Sequence, residues 1–160
     1  MCPGQPRPCP ERIAQRPGDN AGEFTDIDHF KSFNDHYGHQ TGDQVLRLVA
    51  LSVKRNIRGE GTACRYGGEQ FAIILPRTTV EQAEKIGDGL RLAVMGREML
   101  EPTTGEALRR VTISIGIASF QSGETAQSLI EPADRCLCGA KSDGRNLVAS
   151  EADPRLRISA

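Results

Sequence analysis

Neither sign of charge prevails in this chain of 160 residues: 20 lysines and arginines stand against 21 aspartates and glutamates, a formal net charge of -1. No whole-protein field points to nucleic acid or an anionic membrane, so any anionic ligand has to be held by local groups. No apolar run approaches the ~18 residues of a membrane-crossing helix. The opening "MCPGQPRPCPERIAQRPGDN" has no apolar segment of the kind that drives a signal peptide. Cytoplasm is the expected compartment. Repeats of about 20–50 residues are also lacking, and the length suits one domain with a real core. Five cysteines, at positions 2, 9, 64, 136 and 138, are odd in number and form no CxxC pair, which argues against a zinc site or a disulfide framework. Cys136 and Cys138 lie two apart in a helical pattern and point to different faces, so at least one is expected in the core.

What is present divides into three parts. Residues 1–22 are rich in Pro, Gly and Arg, with Ile13 as their one large aliphatic side chain, and are expected to be a disordered leader. Residues 23–150 carry the patterned segments, and 151–160 are expected to be a tail. "EFTDI" reads as a strand ending in acids. "FKSFNDHYGH" gives a short helix stopped near Gly38, and "TGDQVLRLVALSVKRNIR" a longer one with Val45, Leu46, Val49, Leu51, Val53 and Ile57 at helical spacing. The glycine-containing 59–61 segment ends it. "TACRYG" and "EQFAIILP" flank Gly67 and Gly68 as a β-hairpin with a glycine turn and Glu69 at its tip. A helix over 79–95, a strand over 111–119, a helix over 125–141 that Pro132 starts or kinks, and a short closing strand complete the order β-α-α-β-β-α-β-α-β. The expected class is an α/β layered domain whose sheet mixes a hairpin with crossovers.

Acids gather at Asp26 and Asp28, where the first strand ends, and at Glu69 on the hairpin. If that strand lies beside the hairpin, Asp26 and Glu69 face each other and can hold a hard divalent cation, which takes one or two carboxylates and completes its shell with phosphate and water. Two glycines beside a carboxylate then have a use, because absent Cβ atoms let a nucleotide approach the backbone. An ordinary glycine hairpin with solvated acids is the alternative. Thr41 or Asp43 can equally cap the long helix, and Lys141 and Arg145 can serve as solvated cations at a helix C-terminus.

Four stretches in order decide between these readings. "DIDHFKSFNDHYGHQTGDQVL", "RYGGEQF", "VTISIGIA" and "ADRCLCGAKSDGRN" resemble the signature blocks of the GGDEF domain, the diguanylate cyclase family, over about residues 24–149. The resemblance implies a nucleotidyl-cyclase-like mixed sheet flanked by helices. It also implies condensation of two GTP into cyclic di-GMP by two domains meeting face to face as a homodimer, with Mg2+ or Mn2+. Carried over, Asp26 and the Ile27 carbonyl bind metal, Glu69 is the signature acid, and Gln70 occupies the remaining metal position. Asn34 and Asp43 hydrogen-bond guanine, whose N1–H and N2–H2 suit a carboxylate acceptor. Lys31, with the backbone around His29 and Phe30, cradles the β- and γ-phosphates; Lys141 and Arg145 reach the terminal phosphates; Gly67 and Gly68 line the ribose and α-phosphate. His29, His36 and His39 are expected as hydrogen-bonders of helix and turn.

The chain departs from the family pattern at four places. Gln70 stands where the signature has Glu and lacks the formal charge, which implies lower metal occupancy and turnover. The helix and apolar strand that normally precede the first acid are replaced by the leader, implying a shortened N-terminus. The Arg-x-x-Asp of feedback-inhibited members keeps Arg58 but has Gly61 for the acid, implying weak product inhibition. Cys138 replaces an aromatic. The leading reading is a diguanylate cyclase of reduced activity. The alternative is a degenerate GGDEF domain that binds GTP or cyclic di-GMP and regulates a protein partner.

Overall fold

The computed structural model describes residues 20–57, 61–121, 124 and 126–154. Nine elements follow one another: β1 (Asn20–Ile27), α1 (Phe30–Tyr37), α2 (His39–Asn56), β2 (Thr62–Gly67), β3 (Gln70–Pro76), α3 (Val80–Met95), β4 (Ile113–Phe120), α4 (Ala126–Ser142) and β5 (Val148–Ser150). Their order is the one the periodicity predicts, and the strands form a single sheet in the order β2-β3-β1-β4-β5. β1 runs antiparallel to both β3 and β4, while β5 joins β4 in parallel. The expected mixed α/β sheet flanked by helices is therefore what the chain forms.

Strand alternation sends β1 side chains to two cores. Ala21 and Ile27 face the larger, where Val45, Val49 and Val53 of α2, Leu90 and Val94 of α3, and Ile113, Ile115 and Ile117 of β4 pack together. Phe24 points the other way, onto Ala133 and Leu137 of α4. α4 rests so closely on β4 that a Cβ at Gly116 would lie 2.0 Å from the Ala133 carbonyl oxygen. No other residue fits there. α3 begins with a reciprocal cap: the Gln82 backbone N–H donates to Thr79 Oγ1 and the Thr79 backbone N–H to Gln82 Oε1. Cys136 is buried and Cys138 exposed, as their spacing requires; burial pushes the Cys136 thiol up to about 11, leaving it a neutral packing group.

Several boundaries differ from the sequence reading. β1 starts at Asn20, because Asn20–Gly22 find partners on both sides, Asn20 opposite Pro76 and Phe120 and Gly22 opposite Ile74 and Ala118. α2 starts at His39 with Gly38 as its N-cap and no side-chain cap, so neither Thr41 nor Asp43 caps it; Thr41 is buried in its first turn. Pro132 lies inside α4. β4 begins two residues later than predicted. The leader up to residue 19, Arg58, and residues 155–160 of the expected tail lie outside the described residues.

One core position conflicts with its surroundings. Glu23, in the middle of β1, is 2% exposed, and among the described residues neither carboxyl oxygen has a hydrogen-bond partner. Its cross-strand neighbours are Ile73 and Ile117, and a Cβ at Gly87 would sit 3.3 Å from its Oε1, so α3 leaves room for the carboxyl. Desolvation raises its pKa from 4.5 to about 8. The folded state then holds a proton that the unfolded state has lost, so stability falls as pH climbs from the unfolded value through the folded one. Glu23→Leu is expected to stabilise the domain, by about 3 kcal/mol more at pH 8 than at pH 5. Urea denaturation at the two pH values checks this; an equal gain at both would contradict it.

Candidate functional site

Register brings the predicted acids to one end of the sheet. Asp26 pairs with Gln70 on one side and Ser114 on the other, and the Ile27 backbone N–H donates to the Glu69 carbonyl at 3.3 Å. The residue directly across from Asp26 is thus Gln70, with Glu69 one step further, in the turn. Directly opposed residues share a sheet face, so Gln70 is the side chain nearest in register to Asp26. Asp26 is buried, and its Oδ2 accepts from the Lys141 ammonium of α4 in an ion pair. A carboxylate withdrawn this far from water needs a cation beside it.

Asp28, which the sequence groups with Asp26, has a different job. Its carboxylate accepts from Thr112 Oγ1 at 2.8 Å, from Ser114 Oγ at 2.7 Å and from the Asn146 backbone N–H at 3.0 Å. Its own N–H donates to the Thr112 carbonyl. One side chain thereby ties the end of β1 to the start of β4 and to the α4–β5 turn, where Arg145 and Asn146 hold positive φ values of 66° and 51°. Arg145 is exposed beside that knot. Thr112, Ser114 and Asn146 were not singled out from sequence; only the acid pattern was visible there.

The hairpin tip also differs in detail. Gly67 ends β2 and pairs with Gln70, so Gly68 and Glu69 make the turn, with a register shift between Arg65 and Gly67. Neither Gly67 nor Gly68 is among the positive-φ residues. A Cβ at Gly68 would meet nothing within 4 Å, and one at Gly67 only Gln70 Oε1, at 3.6 Å. Backbone conformation does not demand these glycines, and what they provide is a bare strip of main chain. Arg65, another residue the sequence reading passed over, holds the strip by donating from Nη2 and Nε to the Gly68 carbonyl at 2.7 and 3.1 Å.

Behind the tip, α2 and β2 bound a groove of about 730 Å³, within the range of small-molecule sites. Leu46, Ala50, Val53 and Phe71 give it apolar walls, and Asp43 and Arg65 are among its polar lining residues. Asp43 is exposed, and the preceding residue, Gly42, touches the Asn34 side chain of α1. Asn34 Oδ1 is buried with no partner among the described residues. Lys31 is exposed in the first turn of α1. That helix begins after His29, which holds φ 55° and gives no side-chain cap, so the first backbone N–H groups carry no cap. Such a terminus suits an anion. His36 lies edge-on to Tyr37 at 4.5 Å, in keeping with a packing role.

The family model "Diguanylate cyclase, GGDEF domain" matches residues 19–147. The chain is a GGDEF domain. It is 42% identical over 131 residues to the response regulator PleD of Caulobacter vibrioides, an alignment covering 79% of this chain and 28% of that protein. With the diguanylate cyclase VdcA of Vibrio cholerae it shares 38% identity over 123 residues, covering 77% and 36%. The chain thus spans about a third or less of these relatives. Among solved structures, the GGDEF domain of DgcB from Caulobacter crescentus in complex with c-di-GMP superposes with a TM-score of 0.79 at 41% identity, covering 82% of this chain and 77% of that one. The diguanylate cyclase SiaD of Pseudomonas aeruginosa, in complex with its activator SiaC, gives 0.76 at 32% identity, covering 82% and 50%. No described helix is long and apolar enough to cross a membrane.

The donor set of this GGDEF domain fits a hard cation. Asp26, Glu69, Gln70 and the main chain supply only oxygen, and the Lys141 ammonium already takes a cation's place beside Asp26. Among the described residues no three His, Cys, Asp or Glu side chains gather as a ready-made metal cage. A bound ion therefore needs oxygens from another source, which phosphates provide. The scaffold itself is testable: Asp28→Ala removes three accepted hydrogen bonds and strands the buried Ser114 hydroxyl, so it is expected to cost about 3 kcal/mol. Chemical denaturation measures this, and a loss below about 1 kcal/mol would contradict the knot assigned to Asp28.

Proposed function

We propose that the domain binds GTP with a divalent cation and, as a homodimer with one GTP on each copy, condenses two GTP into cyclic di-GMP at a rate held low by Gln70. The observation that carries this reading is the bare Gly67–Gly68 strip beside Glu69 and one strand across from Asp26, since neither conformation nor packing accounts for its glycines. Asp43 accepts from guanine N1–H and N2–H2, a donor pair that adenine does not present. Asn34 contacts the same edge. The uncapped start of α1, with Lys31, receives the β- and γ-phosphates, and Gly67 and Gly68 let the ribose and α-phosphate lie against the main chain.

Asp26, the Ile27 carbonyl, Glu69 and Gln70 would hold the ion. When bound, magnesium or manganese neutralises the triphosphate and polarises the α-phosphorus. Lys141, which pairs with Asp26, and the exposed Arg145 would reach the terminal phosphates. Each 3′-oxygen then attacks the α-phosphorus of the other GTP; two phosphodiester bonds form, two α–β anhydride bonds break, and two pyrophosphates leave with the hydroxyl protons lost to solvent. Glu69, half-buried at the tip, keeps a negative charge beside the reacting groups. Gln70 offers only a neutral carbonyl opposite Asp26.

That neutral amide is also the observation favouring a second reading, in which the domain binds GTP or cyclic di-GMP without turnover and regulates a protein partner. The two part company in one assay. Purified protein with GTP and Mg2+ or Mn2+ is expected to make cyclic di-GMP slowly, Gln70→Glu to raise the rate on the order of a hundredfold, and Glu69→Ala to abolish product. GTP binding without product from wild type or Gln70→Glu would overturn the cyclase reading and leave the regulatory one.

A further inference from the structure

α2 carries a glycine where helix stability argues against one. Gly42 is the fourth residue of the helix, buried, and makes a regular turn bond from its N–H to the Gly38 carbonyl at 3.1 Å. Its φ lies outside the positive region, so nothing in the backbone demands glycine, and alanine favours a helix more strongly. The reason is found across the α1–α2 junction. A Cβ at Gly42 would stand 1.7 Å from Asn34 Oδ1, 2.8 Å from its Cγ and 3.3 Å from its Nδ2, so the three nearest atoms all belong to one side chain. The Asn34 carboxamide occupies the volume that any other residue at 42 would fill.

Asn34 does not use this position for an ordinary contact. Its Oδ1 is sealed from solvent without a hydrogen-bond partner among the described residues, an arrangement that costs stability. The end of a flexible side chain could move aside, and here it stays in a costly place because the helix leaves it a socket. Oδ1 is the amide atom deepest in that socket and Nδ2 the one turned away from Gly42. Asn34 thus turns its amide donor away from Gly42, the residue that precedes Asp43 and its acceptor carboxylate. A donor beside an acceptor pair matches the O6, N1–H and N2–H2 edge of guanine and mismatches adenine.

We infer that Gly42 is a positioning residue for nucleotide choice: its missing side chain seats the Asn34 amide in the orientation that, with Asp43, selects guanine. This rests on the proposed nucleotide site and adds to it the residue that orients the base-reading amide. Because the displaced atoms end a flexible side chain, Gly42→Ala leaves the fold intact and moves only the amide.

Calorimetric titration of GTP and of ATP, with Mg2+, into wild type, Gly42→Ala, Asn34→Ala and the double variant tests it. Each single change is expected to weaken GTP binding about five- to tenfold and leave ATP binding as it was. The double variant is expected to bind GTP no worse than either single one, since the socket matters only through Asn34. The melting temperature of Gly42→Ala should stay level or rise, which separates lost positioning from damaged folding. GTP binding unchanged in Gly42→Ala, or losses that multiply in the double variant, would overturn the inference. A wild type that binds no GTP would overturn the nucleotide site beneath it, an outcome distinct from a wild type that binds GTP with Gly42→Ala indifferent.

Discussion

The register of β1 between β3 and β4 is the constraint on which the site depends. β1 is the central strand, and its pairing sets Asp26 against Gln70 on one side and Ser114 on the other. A slip by one residue would turn Asp26 into the aliphatic core and put Phe24 on the wrong face. Two features hold the register. The aliphatic pattern of β4, with Ile113, Ile115 and Ile117 on one side and Gly116 under α4 on the other, admits a single phase. The Asp28 carboxylate then locks the strand end to Thr112, Ser114 and Asn146. Both the hairpin tip and the α4–β5 turn inherit their positions from this strand.

Of the two buried acids at the strand end, Asp26 has a cation partner and Asp28 is held by neutral donors. Asp26 is buried, and the Lys141 ammonium compensates its charge. Glu23, three residues earlier on the opposite face, is the contrary case: an acid with no partner among the described residues, kept protonated by burial. Its cost falls on the strand that carries the site. The two acids share a strand and differ in whether a cation lies within reach.

Element order and class were legible because the periodicities are strong: "VTISIGIAS" alternates and "QVLRLVALSVKRNI" repeats at helical spacing. Boundaries were less so, since Asn20–Gly22 become strand only through partners on both sides, and Asn, Ala and Gly carry little strand signal alone. At the candidate site, local motifs marked the candidate residues but not their pairings. Nothing in "RYGGEQF" distinguishes a turn at Gly67–Gly68 from one at Gly68–Glu69; cross-strand pairing of Gly67 with Gln70 decides it. Asp28 and Asp26 look alike in "TDIDHF", yet Lys141 of α4 pairs with Asp26 while Thr112, Ser114 and Asn146 hold Asp28. The Asn34–Gly42 contact was invisible for the same reason, as it arises from how two helices meet at Gly38.

The most direct test of the account is a two-dimensional amide NMR titration with Mg2+ and GTP, read residue by residue. The account predicts saturable shifts concentrated at Lys31, Asn34, Gly42, Asp43, Gly67, Gly68 and Lys141, with ATP producing much smaller changes at the same concentrations. Shifts confined to other surfaces, equal responses to the two nucleotides, or none at millimolar GTP would contradict it.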